Sequence, residues 1–301
     1  MKVLVTGGSG FIGRNIIRQC RDRGLETISF DTEVTVNADT YVKGSVLDFN
    51  ILRKAMRGCD YVFHLAATTS PPQFEEPGNS GYEVNVMGTY NTLQAAYENG
   101  MRRVVLASSS AIYGDMKETA GEDLLLDTYR NAYPVTKRIN EITANFFSSS
   151  SRVENVALRY FNTYGIGENT KARYSSVIWR FVRALQSHEV PEIYGDGEQS
   201  RDFIYVEDTA RASVLAMEKG RTGEAYNIGT GVTTSFNDIY RIVRQEMHSV
   251  VEPRYIPNPL KNYQYFTQAD ITKVRKDLGF TPEFDIRSGV RRMIQADARS
   301  T

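Results

Sequence analysis

A short apolar run, Lys2-Val3-Leu4-Val5-Thr6, opens directly into Gly7-Gly8-Ser9-Gly10-Phe11-Ile12-Gly13, and this junction restricts the fold more than any other stretch. A helical stripe follows, with Ile12, Ile16, Ile17 and Cys20 on one face, and stops at Gly24. Glycines at Gly7, Gly10 and Gly13 between a strand and a helix serve a tight turn, a close approach of backbone to pyrophosphate, and helix-to-strand packing. The helix that follows offers free amides and the positive end of its dipole to phosphate. Phe11 and Ile12 lie inside this loop and share its place against a dinucleotide.

The rest of the first half repeats the unit. Leu25 to Phe30 reads as a strand ending at Asp31, and Tyr41 to Val46 as a third strand before a helix over about 50–56. Tyr61 to Leu65, Arg103 to Ala107 and Asn155 to Tyr160 are further strands, separated by helices over about 83–99 and 133–147. The strands are nearly continuous apolar runs, as expected when both faces are covered. Such alternation specifies an α/β fold, a Rossmann-type doubly wound parallel sheet. Beyond Asn162 the rhythm loosens, and a smaller α/β substrate-binding cap domain is expected there. The division is residues 1–161 plus 202–228 for the dinucleotide-binding domain and 162–201 plus 229–301 for the cap.

Asp31, at the end of the second strand, can accept hydrogen bonds from an adenosine ribose and would repel a 2′-phosphate, which favours NAD over NADP. Asp48 either meets the adenine edge or caps the following helix. Leu65-Ala66-Ala67 is a small-residue strand end where backbone can pass close to the cofactor. The Asn85 amide either contacts the cofactor or braces the loops around it.

Charge excludes other classes. Lys plus Arg and Asp plus Glu are 36 each, so neither a nucleic-acid footprint nor a membrane-surface patch is expected. Cys20, Cys59, His64, His188 and His248 show no ligand spacing, and no metal is expected. No apolar stretch reaches the ~18 residues of a membrane span, and no leader is evident, so the cytoplasm is the expected location.

Tyr133 and Lys137 stand at i and i+4, on one face of a helix. A free phenol titrates near ~10, and an ammonium a few ångströms away favours the phenolate. The pair is therefore expected to supply a base at neutral pH. Pro134 is tolerated in a first helical turn but biases Tyr133 toward extended torsions, which puts the tyrosine at the helix boundary.

With these residues together, the chain resembles the extended short-chain dehydrogenase/reductase family, in its nucleotide-sugar epimerase and dehydratase branch. The likeness is carried by the glycine loop, His64-Leu65-Ala66-Ala67, Asn85 to Thr89, Ser108 to Gly114, Tyr133 to Lys137, Arg159 to Gly165, Ile193 to Phe203, Tyr226 to Gly229 and Ala269-Asp270. It implies that Tyr133 is the catalytic base and acid, that Lys137 holds the nicotinamide ribose and lowers the tyrosine pKa, and that Ser109 is the third catalytic group. It places Ser108 near the nicotinamide, and Thr68, Asn162, Tyr194, Arg201 and Lys261 on a UDP-sugar. For Arg201 a surface ion pair with Asp202 is the competing reading.

Where dehydratases of the branch carry an Asp-Glu pair and decarboxylases a Glu, this chain has Ser110 and Ala111. The resemblance therefore implies an NAD-dependent 4-epimerase acting through a transient 4-keto sugar, with a 4,6- or 5,6-dehydratase or a 4-ketoreductase as alternatives. A homodimer built on the helices near 83–99 and 133–147 is implied in the same way.

Overall fold

The computed structural model describes residues 1–34, 38–69, 74, 81–115, 117–124, 126, 128–129, 131–150, 152–168, 175–259 and 263–297. Along the chain β1 (Lys2–Thr6), α1 (Phe11–Asp22), β2 (Glu26–Asp31), β3 (Thr40–Lys43), α2 (Phe49–Ala55) and β4 (Tyr61–His64) come first. A π-helical turn (Glu83–Met87) runs into α3 (Gly88–Glu98), followed by β5 (Arg103–Ser109), a 3₁₀ turn (Ser110–Tyr113), α4 (Ala132–Ser149) and β6 (Glu154–Tyr160). The second half holds β7 (Asn162–Tyr164), α5 (Val177–Gln186), β8 (Glu192–Tyr194), β9 (Ser200–Tyr205), α6 (Val206–Lys219) and β10 (Ala225–Ile228). It continues with β11 (Thr233–Ser235), α7 (Phe236–Glu246), β12 (Arg254–Ile256), α8 (Thr272–Leu278) and α9 (Ile286–Asp297).

Seven strands form one parallel sheet in the order β10-β6-β5-β4-β1-β2-β3. Successive side chains of a strand point to opposite faces. Val3 and Val5 accordingly join Ile16, Ile17 and Met217 in one core, while Leu4 between them joins Leu52, Leu93 and Phe147 in another. Helices α1, α6 and α8 cover the first face and α2, α3 and α4 the second, which is the doubly wound α/β arrangement. Order reverses across β1 and β4, and the crevice beyond their carboxyl ends is where ligands of such sheets bind.

Residues 202–205 do not enter this sheet. They lie in β9, the middle of a three-stranded sheet β11-β9-β7, and the chain rejoins the large sheet at Ala225. A third core, with Ile178, Phe181, Tyr205, Tyr240 and Val290, lies under α5, α7 and α9. Pro134 is the third residue of α4, where its missing N–H has no helical partner in any case. Asn131 takes up the extended torsions as N-cap (φ −148°, ψ 166°), and Tyr133 sits in the first turn.

The segment after residue 262 crosses back over the chain. The Tyr265 N–H donates to Asp115 Oδ1 (3.2 Å), Ala120 N–H to Gln268 O (2.8 Å), and Asp270 N–H to Ala120 O (2.9 Å). Buried Asp202 anchors the crossing. Its Oδ1 accepts the Thr230 N–H and hydroxyl (2.8 and 2.7 Å), and its Oδ2 accepts the N–H groups of Gly231 and Ala269 (2.9 and 3.1 Å). No helix among the described residues is long and apolar enough to cross a membrane.

Asp202→Ala leaves four donors without their acceptor inside the protein. A loss of about 3 kcal/mol or more is expected, read as a lower urea midpoint with an unchanged slope.

Candidate functional site

The glycine loop holds α1 against the ends of β1 and β4. Gly7 has φ +69°, its N–H donates to Phe30 O (2.9 Å), and Gly10 N–H donates to Gly7 O (3.0 Å). A Cβ on Gly13 would stand 2.2 Å from the Gly7 carbonyl oxygen, and one on Gly7 would stand 2.8 Å from Ala66 N. Asp31 closes the loop, with Oδ2 accepting from Ser9 N–H (3.0 Å) and Oδ1 from Glu33 N–H (3.2 Å). This cradle fits a dinucleotide: bare backbone faces the place of a diphosphate, a helix N-terminus points there, and a carboxylate stands at the ribose end.

From the cradle a cleft of about 1030 Å³ runs to the second sheet. Gly7, Gly10, Phe11, Ile12, Gly13, Asp31, Leu65, Ala66, Ala67 and Thr68 line its first part, and Ser108, Ser109, Tyr133, Lys137, Asn162 and Arg201 its second. The structure thus brings together most of the residues expected from the sequence, contributed by β1, β2, β4, β5, α4, β6, β7 and β9.

For Asp48 and Asn85 the structure shows the capping and bracing readings, and two other residues depart from expectation. Asp48 serves as the N-cap of α2, accepting from Ile51 N–H (3.0 Å), and Gly44, Ser45 and Val46 form the wall there. Asn85 is fully buried and braces. Its Oδ1 accepts from Thr68 N–H (2.8 Å), and its Nδ2 donates to Thr68 O (3.0 Å) and Thr136 Oγ1 (2.9 Å). Ser108 turns its hydroxyl to Glu141 Oε1 (2.6 Å). The Tyr194 ring lies beneath the Arg180 guanidinium (5.4 Å) and not in the cleft wall. Lys261 is outside the described residues.

Arg201 is 7% exposed, and its guanidinium lies between the rings of Phe236 (5.7 Å) and Tyr263 (5.2 Å). The carboxylate of Asp202 is taken by Thr230, Gly231 and Ala269, so it does not make the surface pair that competed for Arg201. Asn162 Nδ2 donates to Asp202 O (3.2 Å) and Thr267 Oγ1 (3.0 Å) at the same wall. Neither aromatic beside Arg201 was legible as a site residue, because each is remote in sequence and only ring packing unites them.

At the end of β5, Ser109 hydrogen-bonds the Tyr133 phenol and accepts from Ala111 N–H (3.1 Å). Lys137 Nζ donates to Ala107 O (2.8 Å) and lies 5.8 Å from the centre of the Tyr133 ring. The expected lowering of the tyrosine pKa by Lys137 is not what this geometry gives. Burial pushes the phenol above its ordinary value, and the Ser109 hydrogen bond opposes it. Burial likewise pushes Lys137 down to about 8, with the charge of Glu141 opposing. The ammonium sits beside the ring with a proton committed to a backbone carbonyl, so desolvation governs both groups. His64, pushed down to about 3 by burial and then by Lys137, is neutral and ties Thr6 Oγ1 (2.8 Å) to Thr89 Oγ1 (3.0 Å) beneath the loop.

A model of the NAD dependent epimerase/dehydratase family matches residues 3–229, and the chain belongs to that family of NAD-dependent enzymes. A Methanocaldococcus jannaschii protein provisionally assigned as a UDP-glucose 4-epimerase is 30% identical, over 97% of each chain. The UDP-N-acetyl-alpha-D-glucosaminuronate decarboxylase of Bacillus cytotoxicus is also 30% identical, over 98% of this chain and 97% of its own. Among solved structures, the UDP-glucose 4-epimerase of Thermotoga maritima with UDP-glucose superimposes with a TM-score of 0.93 at 28% identity, covering 100% of this chain and 99% of that one.

Gly13→Ala drives a methyl group into the Gly7 carbonyl, which is backbone and cannot swing aside. NAD affinity measured by calorimetry is expected to fall by roughly tenfold or more, with the melting temperature of the protein also reduced.

Proposed function

We propose that this chain is an NAD-dependent nucleotide-sugar 4-epimerase acting on a UDP-hexose or UDP-N-acetylhexosamine. One observation carries the choice within the family. Among the described residues that line the cleft, the only carboxylates are Asp31 and Glu33, both at the adenosine end. Ser110 and Ala111 follow the catalytic serine, so the sugar end holds no described acid to act on C5 or C6. Elimination or decarboxylation would call on such a group; oxidation and reduction at one carbon do not.

In this reading Tyr133 takes the proton of the C4 hydroxyl while the Ser109 hydroxyl holds the same oxygen. NAD in the cradle supplies the hydride acceptor and afterwards the donor. Lys137 holds the ribose and places positive charge beside the phenolate as it forms. The 4-keto sugar turns over to offer the other face of C4 to the returning hydride, and Tyr133 returns its proton to the C4 oxygen. Arg201, fixed between two rings, takes the diphosphate, with Thr68 and Asn162 on the sugar. Residues 162–201 and 229–301 act as the sugar-binding domain. A homodimer would cover Tyr90 and Tyr97 of α3 and Ile142 and Phe146 of α4, large apolar side chains now exposed.

The test is incubation with UDP-glucose, UDP-N-acetylglucosamine and UDP-glucuronate, without added cofactor, followed by proton NMR. The 4-epimer of one sugar is expected. A new methyl signal, a pentose, or a need for external NADH would replace the reading with dehydration, decarboxylation or ketoreduction. Tyr133→Phe is expected to lower turnover by about 10²–10⁴-fold. Light scattering is expected to give a dimer, and Phe146→Asp a monomer; an unchanged mass in the variant sinks the dimer proposal.

A further inference from the structure

Glu141 stands one helical turn beyond Lys137 on α4, is 3% exposed, and does not line the cleft. Its carboxylate is nevertheless fully engaged. Oε1 accepts from the Ser108 hydroxyl (2.6 Å) and Arg159 Nε (3.0 Å), and Oε2 from Arg159 Nη2 (2.9 Å) and Arg138 Nη1 (3.1 Å). Arg159, on β6 and also 3% exposed, passes the connection on through Nη1 to Tyr113 OH (2.8 Å) and Glu122 O (2.7 Å). Burial pushes the Tyr113 phenol up to about 12, so it keeps its proton and donates to Asn227 Oδ1 (2.6 Å). Asn227 Nδ2 in turn reaches Ala120 O (2.7 Å) and Asp270 O (3.2 Å) in the crossing segment.

A buried ion pair contributes little net stability over apolar residues of the same volume, because two ions must first be desolvated. Register is the better account of this one. Three successive residues of β5 meet three residues of α4 spaced one turn apart: Ala107 meets Lys137, Ser108 meets Glu141, and Ser109 meets Tyr133. Two of those contacts involve the reacting pair, and the third fixes the strand end between them.

We infer that Glu141 is a positioning residue of the reaction: it clamps Ser108 and Arg159 so that Ser109 meets Tyr133, and its charge sustains the Lys137 ammonium in the dry core. The role rests on the assignment of Tyr133 and Lys137 as the reacting pair. Burial pushes the Glu141 carboxyl up, and the hydrogen bonds and charge of Arg159 outweigh it, so the group stays ionised. Among the described residues, the titratable and charged groups that face Lys137 are few. Tyr133 and Glu141 come from its own helix, with Arg138 beyond the latter, neutral His64 from β4, and Arg159 of β6 behind Glu141. β5 offers Lys137 a carbonyl. Glu141 is the anion of the group.

The sign follows directly. Lys137 is needed as an ammonium and loses its proton as pH rises through its pKa, already pushed down to about 8. Glu141→Gln removes the opposing negative charge and leaves Arg159 unpaired nearby, so deprotonation comes at lower pH. In protein carrying ¹³C-labelled lysine, with the Lys137 resonance assigned from Lys137→Arg, the Glu141→Gln midpoint is expected to fall by about one pH unit. The alkaline limb of turnover is expected to move the same way, and kcat to drop roughly tenfold with KM unchanged. Glu141→Asp keeps the charge but is too short to hold Ser108: its midpoint is expected to match wild type while kcat falls. That variant decides alone if Glu141→Gln does not fold.

Equal Lys137 midpoints in wild type and Glu141→Gln, or wild-type kcat in Glu141→Asp, would overturn the inference. The titration needs no turnover. A shifted midpoint in a protein that converts no nucleotide sugar would leave the Glu141 role standing and sink the epimerase reading alone.

Discussion

Everything in this molecule hangs on how closely α1 approaches the ends of β1 and β4. The Gly13 α-carbon packs on the Gly7 carbonyl, and Gly7 packs on the Leu65–Ala66 peptide, at separations that no side chain would permit. That contact turns the chain out of β1 at the point where the strand order reverses, and so opens the crevice. It also exposes bare amides at a helix N-terminus, where an anionic diphosphate finds its counter-charge. Neutral His64 sustains the approach from below, because an imidazolium there would be an unpaired buried charge.

The proposed reacting groups live under a different constraint, which is dryness. Tyr133 and Lys137 are both withdrawn from water, and burial moves their pKa values apart, the phenol upward and the ammonium down to about 8. In so dry a site the proton of each group responds strongly to small changes in local charge. The buried Glu141–Arg159 pair stands next to them, and Ser109 adds a hydrogen bond that favours the phenolate.

The fold was legible because its signals are local. The Gly7–Gly13 loop, the apolar strands and Asp31 each follow from a few neighbouring residues. The meeting of Tyr133, Lys137 and Ser109 in one cleft was legible too, the first two by helical spacing and Ser109 through family likeness. Asp48 shows one limit: the sequence left an adenine contact and an N-cap equally open, and the structure makes it the cap. Tyr194 shows another, since a short strand does not reveal which way its aromatic turns. The β9 strand joined a separate sheet with β7 and β11 because pairing partners far apart in sequence leave no mark on either. Glu141 had a signal that could have found it, the continuation of Tyr133 and Lys137 at the next i+4 step.

The crossing segment that lies over Asp115 and Ala120 has a consequence for how the molecule is made. Strands β1 to β6 pair among themselves in the order of synthesis, so the dinucleotide cradle takes shape while the ribosome is still at work. The wall opposite it waits. Tyr263 against Arg201, Thr267 against Asn162 and Ala269 against Asp202 all come from the last fifth of the sequence. A nascent chain therefore holds its coenzyme site before the opposite wall of the cleft exists, and the cleft is complete only when the final segment has been threaded across.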